Sequence, residues 1–417
     1  MRTVFIQTLG CRTNQYDSAS IAYQLNLEGI TSVARPEMAD VCIVNTCTVT
    51  ARADAKSRQI IHGAIRACGK KPVIVVGCGP QNNKAMFQSI PGVTAVFGVN
   101  AAKQICNFLS LPEKTISVSF GPVSTLENRT RVHLKIQDGC DSFCTYCIVP
   151  FMRGKPVSRP FSDVIDQIRT LADSGYKEIV LTGIHIGRYA DNGKTLDDVV
   201  ETGAEIPGSF RIRISSIEPQ EISPRLIELT VNHPKVCNHL HVSIQSGDDE
   251  ILKLMGRRYA AGTVFSLLEK IRVRDPLFGL GADFIIGFNG ESERHFNSTL
   301  SRVAESVLSY GHVFPFSLRK GTAVEHLPGA IASVEKSRRC REIKAAFQKH
   351  KQAFLAANMG KNHVIVYEND QTGLTSNYIR VLCAEPAEQG DMIPVVITGY
   401  GKDFARGANL RGNNGVA

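Results

Sequence analysis

The stretch DGCDSFCTYCIVP, residues 138–150, sets Cys140, Cys144 and Cys147 in a CxxxCxxC pattern just after the strand-like run 132–136. Three thiolates this close on one loop can wrap three corners of a cubic iron–sulfur cluster. The fourth iron is then left open to bind a small molecule, whereas a fully ligated cluster mostly moves electrons. A structural zinc site asks for four protein ligands, commonly two CxxC pairs, and this loop has no fourth Cys or His. A zinc knuckle and three unrelated core cysteines are the competing readings.

A chain of 417 residues with 43% hydrophobic content is expected to form two or three domains. No run of 18 or more apolar residues occurs, so no membrane span is expected. The N-terminal residues 1–7 read as a first strand, with an apolar part too short for a signal peptide. The expectation is a cytoplasmic protein whose 12 cysteines bind metal rather than form disulfides. Net charge is +9, unevenly spread. Residues 1–120 hold 12 Lys/Arg against 6 Asp/Glu, and residues 319–360 hold 9 against 3. Two basic regions flanking a nearly neutral centre suit a grip on a polyanion, although a merely solvated basic surface has the same composition.

The first ~115 residues alternate strand signals (4–9, 41–45, 73–77, 94–97) with helical ones (18–28, 53–67), the texture of a parallel α/β sheet. Residues 111–114 and 121–122 read as a linker. Six further strand candidates follow at 132–136, 178–181, 211–215, 240–244, 281–286 and 311–316. Helical patterns separate them at 162–173, 221–231, 249–255, 263–274 and 292–307, so an open, partial (β/α)6 barrel is expected. In parallel barrels the chemistry gathers at the C-terminal strand edge, where the cysteine loop, Thr182-Gly183, Ser215-Ser216, Gln245-Ser246 and Gly287-Phe288 all fall. Residues 333–358 read as one long basic helix, carrying Arg338, Arg339 and Arg341 among others. After Gly360 short strands indicate a small all-β module. The fold class is therefore α/β with a small all-β end, divided at 1–115, 126–357 and 360–417.

A second cysteine set shares one context. Cys11, Cys47 and Cys78 each lie just past an apolar strand, beside glycine or small residues. Ends of parallel strands point the same way, so three loops can converge on one site. Buried core cysteines are the alternative. Cys42 and Cys383 read as core residues, and Cys68, Cys106, Cys237 and Cys340 carry no assignment.

The CxxxCxxC loop resembles the signature of the radical S-adenosylmethionine enzymes. Leu9-Gly10-Cys11-Arg12-Thr13-Asn14-Gln15-Tyr16-Asp17-Ser18, Asn45-Thr46-Cys47-Thr48-Val49-Thr50 and Lys56-Ser57-Arg58-Gln59 look like the N-terminal domain of the methylthiotransferases within that superfamily. The resemblance covers nearly the whole chain. His239-Leu240-His241-Val242-Ser243-Ile244-Gln245-Ser246-Gly247 and His312-Val313-Phe314-Pro315-Phe316-Ser317 look most like the branch acting on N6-threonylcarbamoyladenosine beside the tRNA anticodon. Gly79-Pro80 after Cys78, and Asn289 in place of a usual proline, depart from the pattern without removing a ligand.

The resemblance implies two [4Fe-4S] clusters, S-adenosyl-L-methionine and a C-terminal TRAM-like barrel. Cys140, Cys144 and Cys147 would hold the radical-generating cluster, and Cys11, Cys47 and Cys78 the sulfur-carrying one. Phe143 and Tyr146, each preceding a ligand, would shield the first cluster and touch the adenine, or pack as ordinary loop residues. Thr182, Gly183, Ser215, Glu218 and Gln245 would meet the cofactor, or stand as polar rim residues. Arg153 and Arg159 would bind phosphate or carboxylate, or form salt bridges. The expected partners are tRNA, through its anticodon stem-loop, and an unidentified electron donor and sulfur source. Sister activities on ribosomal-protein aspartate or isopentenyl-adenosine tRNA stay open, as does an RNA-binding protein with a structural metal.

Overall fold

The computed structural model describes residues 3–111, 120–121, 130–368, 371–385 and 387–410. The expected linker lies largely outside them. The N-terminal unit is a parallel sheet of β1 (Thr3–Thr8), β2 (Thr31–Ser32), β3 (Val41–Thr46), β4 (Val73–Gly77) and β5 (Ala95–Val96), in the order β2-β1-β3-β4-β5. Helices α1 (Arg12–Leu27) and α2 (Ala51–Cys68) join the strands. All six residues of β3 and all five of β4 are buried. Covered on both faces, they read as unbroken apolar runs rather than alternating ones. The absence of disulfides expected from sequence is corrected here. Cys42 on β3 and Cys68 at the end of α2 are bonded to each other, because α2 packs directly over β3 and brings its last turn onto the strand's first.

The central unit carries β6 (Arg131–Lys135), β7 (Glu178–Thr182), β8 (Arg211–Ile214), β9 (His239–Gln245), β10 (Gly279–Ile286) and β11 (Tyr310–Pro315), with parallel pairing throughout. The chain passes from β8 straight into Ser216–Ile217, which pairs with β9 and continues the curve. β6 and β11 are edge strands and do not pair with each other, so the barrel is open along one side. Helices α3 (Phe161–Asp173), α4 (Leu196–Glu205), α5 (Pro224–Asn232), α6 (Ala261–Arg274) and α7 (Glu293–Glu305) cover the outside. Of these, α4 was not among the helices expected from sequence.

The long helix α8 (Ser333–Ala357) lies along α7 and β11. Its arginines correct the expectation of a free basic grip. Arg339 is buried and bonds Glu291 and Glu335, while Arg338 bonds Glu293, Glu335 and Glu342. The chain then closes a five-stranded barrel from β12 (Asn362–Tyr367), β13 (Thr372–Thr375), β14 (Arg380–Cys383), β15 (Met392–Tyr400) and β16 (Ala405–Asn409), in the order β12-β13-β14-β16-β15.

One buried ion group fixes this barrel to the central unit. Glu178 at the start of β7 accepts from Arg211 (2.7 Å) and Arg213 (2.7 Å) on β8. Those guanidiniums also donate to the carbonyls of Val364, Leu374, Thr375 and Ser376 in the small barrel. Burial alone would raise the Glu178 carboxyl, but Arg213 and Arg211 outweigh it and hold it far below the usual carboxylate range. A depressed carboxyl contributes stability above its unfolded pKa, and that contribution is lost only as the pH falls through the folded value. Glu178→Gln should leave two buried guanidiniums unpaired and lower stability by about 3–5 kcal/mol, read from the shift in chemical-denaturation midpoint.

Candidate active site

The loops that carry the two cysteine sets come together between the N-terminal and central units. Cys11 precedes α1, Cys47 follows β3 and Cys78 follows β4. Gly10 and Gly77 sit at φ +102° and +99°, in the left-handed region that favours glycine. A Cβ on Gly10 would lie 2.7 Å from Cys47 Cβ and 3.0 Å from Cys47 Sγ, so only glycine lets these loops close together. Asn14, in the first turn of α1, stands between the thiols. Its Oδ1 is 4.0 Å from Cys11 Sγ and 3.9 Å from Cys78 Sγ. Its Nδ2 donates to Leu9 O (2.9 Å) and Thr46 O (3.0 Å). Burial pushes the Cys78 thiol up to about 12 and raises Cys47, and each thiolate would repel the others. Cys47 and Cys78, raised in this way, ionise readily only when a metal centre takes the place of the protons.

The second set hangs from β6. Gly139 takes φ +75°, and a Cβ there would come 2.1 Å from Lys155 O. Gln137 braces the turn, donating to Asp138 O and Gly139 O and accepting from His185 N at 2.7 Å. Cys140 Sγ is 3.5 Å from His185 Nδ1 and accepts from Ser142 N at 3.4 Å. His185 in turn pairs with Glu221 at 2.7 Å. Burial opposes ionisation of Cys140, yet the His185 and Ser142 contacts outweigh it and lower its pKa. Cys147, more deeply placed, is pushed up to about 12 by burial. Both sets thus present three soft sulfur donors and, among the described residues, no fourth protein thiol, the donor chemistry of an iron–sulfur cluster with one open iron.

A buried network locks the sets together. Arg153 Nη2 donates to Asn14 Oδ1 and Asp17 Oδ2, both at 2.8 Å, and its Nη1 to Asp138 Oδ2 at 3.0 Å. Lys135 Nζ adds bonds to Asp17 (2.6 Å) and Asp138 (2.9 Å). Arg153 is therefore a salt-bridge residue. So is Arg159, which pairs with Asp163 and donates to Tyr16 OH at 3.2 Å. None of Asn14, Asp17, Lys135, Asp138 or His185 stood out from sequence. The available signal was the i,i+3 spacing of Asn14 and Asp17 on the turn after Cys11.

The other residues singled out from sequence divide in two. Thr182 and Gly183 end β7, and a Cβ on Gly183 would touch Gln137 O at 2.9 Å. Ser215 is buried at the β8 edge. Glu218 forms an ion pair with Arg257, which also donates to Tyr146 OH at 2.5 Å. Tyr146 packs edge-on against Phe288. By contrast Phe143 is 59% exposed, touching Phe151 rather than lying beneath the loop. Asn289, the departure from the family pattern, ties its loop down by donating to Leu327 O at 2.9 Å.

A cavity of about 260 Å³ opens between the two cysteine-bearing loops, with Cys147 in its wall. Val49 and Thr50, just past Cys47, form one wall. Tyr146, Cys147, Gln245 and Asp283 form another. Gln245 sits at φ +71° beside a bulge in β9, a strained conformation that turns the strand end into the space.

An open parallel barrel with a three-cysteine loop on its first strand defines a radical S-adenosylmethionine domain, and residues 134–303 match the radical SAM superfamily. Residues 3–98 match the uncharacterized protein family UPF0004. Threonylcarbamoyladenosine tRNA methylthiotransferase MtaB of Bacillus subtilis (strain 168) is 33% identical over 446 residues, spanning 99% of this chain and 97% of that protein. MtaB of Chlamydia pneumoniae is 37% identical over 316 residues, 75% of this chain and 74% of that one. The tRNA-2-methylthio-N(6)-dimethylallyladenosine synthase of Polynucleobacter asymbioticus is 31% identical, covering 95% and 96%. The chain belongs to the radical SAM tRNA methylthiotransferase family. Its fold is shared with the radical SAM methyltransferase TsrM of Kitasatospora setae, at TM-score 0.56 and 14% identity over 78% of this chain and 77% of that one.

Arg153→Ala should leave the buried carboxylates of Asp17 and Asp138 sharing the single cation of Lys135 and lower stability by about 3–5 kcal/mol. Arg153→Lys should recover less than half, because an ammonium cannot reach three acceptors from one planar fork. Equilibrium denaturation of both variants checks this.

Proposed function

We propose that this protein converts N6-threonylcarbamoyladenosine in the tRNA anticodon loop to its 2-methylthio form. The observation that carries the reading is the cavity walled by both cysteine-bearing loops, in a chain similar over nearly its whole length to curated MtaB proteins. Cys140, Cys144 and Cys147 would hold one [4Fe-4S] cluster with S-adenosyl-L-methionine, and Cys11, Cys47 and Cys78 the other. Bound there, these groups supply the carbon radical, the sulfur and the methyl group needed to replace the unreactive C2–H of adenine.

The chain's own residues position and shield. Val49, Tyr146, Ile285 and Phe316 make the cavity largely apolar, which excludes water from a radical reaction. Thr182, Gly183, Ser215, Glu218 and Gln245 would meet S-adenosyl-L-methionine at the strand ends. His185 would orient Cys140 from behind, as outer partners orient metal ligands generally. The division at 1–115, 126–357 and 360–417 assigns one role to each part: the sulfur-carrying cluster, the radical barrel, and an RNA-contacting end. Anticodon-loop bases leave their stack cheaply, so a single adenosine can enter the open side of the barrel. A tRNA substrate supports a cytoplasmic location. No described helix is long and apolar enough to cross a membrane.

Replacing Cys140, Cys144 and Cys147 with Ala should abolish cleavage of S-adenosyl-L-methionine and leave about half the iron, on the four-iron assumption. Replacing Cys11, Cys47 and Cys78 should spare cleavage and stop sulfur transfer. Methylthio product from the second variant would remove that cluster's assigned role. Mass spectrometry of digested substrate decides among threonylcarbamoyl-adenosine tRNA, isopentenyl-adenosine tRNA and ribosomal protein; product only on either of the last two would overturn the substrate assignment.

A further inference from the structure

The inner face of the barrel beside the open side is polar where a core would be apolar. His239 and His241 alternate on β9, Asp283 sits on β10, and Tyr310 and His312 alternate on β11, so the two-residue period sends all five to one face. His241 Nε2 lies 2.9 Å, and His312 Nδ1 3.2 Å, from the same Asp283 oxygen. Tyr310 OH is 3.1 Å from His241 Nδ1 and 2.8 Å from His239 Nε2. Tyr378 of the small barrel stacks on His239, with ring centroids 4.4 Å apart. Nothing in the assembly of the two cysteine sets uses this group.

It stands where two spaces join. Asp283 and Phe314 line the 260 Å³ cavity that contains Cys147. Tyr310, His312, Phe314 and Tyr378 line a larger space of about 830 Å³ between β11, α8 and the small barrel. In adenine, C2 and the carbon bearing N6 are separated only by N1. A base with C2 facing the cysteines therefore directs its N6 substituent towards this junction.

Arg12 completes the group. Its Nη2 donates to Tyr378 OH at 3.4 Å, and among the described residues it has no carboxylate partner. Most neighbouring cations are committed: Arg131 to Glu368, Arg211 and Arg213 to Glu178, and Lys351 to Asp403; Lys344 also lines the larger space, but it is not among the groups bonded to Tyr310 or Tyr378. An unpaired guanidinium, two imidazoles, a carboxylate and a phenol match an amino-acid side arm with a carboxylate, a hydroxyl and a carbamoyl N–H.

We propose that Arg12, His241, Asp283, Tyr310 and His312 form the subsite for the N6 arm of the substrate, with Arg12 taking its carboxylate and the His312–Asp283 pair its hydroxyl and N–H. This rests on the substrate reading above and deepens it. The arm, rather than the base, then sets the choice among modified adenosines.

The test uses the reconstituted full-length enzyme and three anticodon stem-loop RNAs: one with threonylcarbamoyl-adenosine, one with the threonine carboxylate converted to its neutral amide, and one unmodified. Wild type should bind the acid about tenfold more tightly than the amide, the scale of one charge-assisted contact. Arg12→Gln should bring the two within about twofold, and Arg12→Lys should keep most of the preference. Because Arg12 adjoins Cys11, His312→Asn gives an independent reading: it should raise KM for the threonylcarbamoyl RNA more than it lowers kcat. Equal wild-type affinity for acid and amide, or a preference untouched in Arg12→Gln, would overturn the subsite. So would a stoichiometric divalent metal that His312→Asn removes, since the trio would then hold a cation. Methylthio product on threonylcarbamoyl RNA without any acid–amide preference leaves the function standing and sinks only the subsite. Product confined to isopentenyl-adenosine RNA sinks the function itself.

Discussion

Everything at the centre of this molecule depends on Arg153 facing two carboxylates and an amide from opposite domains. Asn14 and Asp17 come from the first turns of α1, three and six residues after Cys11. Asp138 opens the loop that carries Cys140, Cys144 and Cys147, and Arg153 closes it. Lys135 balances the second negative charge. Desolvated charges of this kind contribute little net stability against an apolar alternative, but none can be displaced without leaving another unpaired. The network therefore acts as a register. It sets where the N-terminal sheet sits on the open barrel, and so how the two thiol sets face one cavity.

The same arithmetic applies to the positive charge of the chain. A net +9 suggests a basic surface, yet many guanidiniums are internal fasteners. Arg211 and Arg213 hold the small barrel, Arg159 and Arg153 hold the N-terminal sheet, and Arg339 holds α8 against the turn before α7. Arg319 reaches across to Thr48 and Asp54, steadying the loop after Cys47. Exposed cations without a carboxylate partner among the described residues include Arg52 and Arg58 on α2, Lys320, and Arg341, Lys344 and Lys349 on α8. Attraction to phosphate from such charges steers and orients; it does not by itself select a base.

The strands and cysteines were legible in sequence because their signals are local. Apolar runs such as 41–46 and 73–77 are strands whatever surrounds them, and three thiols within eight residues must share a loop. The fasteners were not legible, because their partners are far apart in sequence: Arg153 meets Asp17 across 136 residues, and Arg213 meets the carbonyl of Thr375 across 162. The basic helix misled for the same reason. Seven Lys and Arg on 333–358 look like a phosphate grip until Glu291 and Glu293, more than forty residues earlier, are found beneath two of them. Phe143 is a different case: its place before a ligand is a sequence fact, and the structure leaves it 59% exposed at φ +45°.

Gln245 shows how the fold aims its chemistry. A non-glycine residue at φ +71° is costly and persists only where its surroundings overrule the local preference. Here they do so from both sides. Tyr259 OH donates to the carbonyls of Ser243 (2.9 Å) and Ile244 (3.0 Å), holding the strand just before the turn. Thr299 on α7 bonds Ser246 and Gly247 just after it. The bulge in β9 lies between Val242 and Gln245. His239 and His241 before it keep the regular alternation that places them beside Tyr310, while Gln245 beyond it is rotated into the space beside Cys147. A single strand thus serves two sites at different depths, and the strain at its end is what separates them.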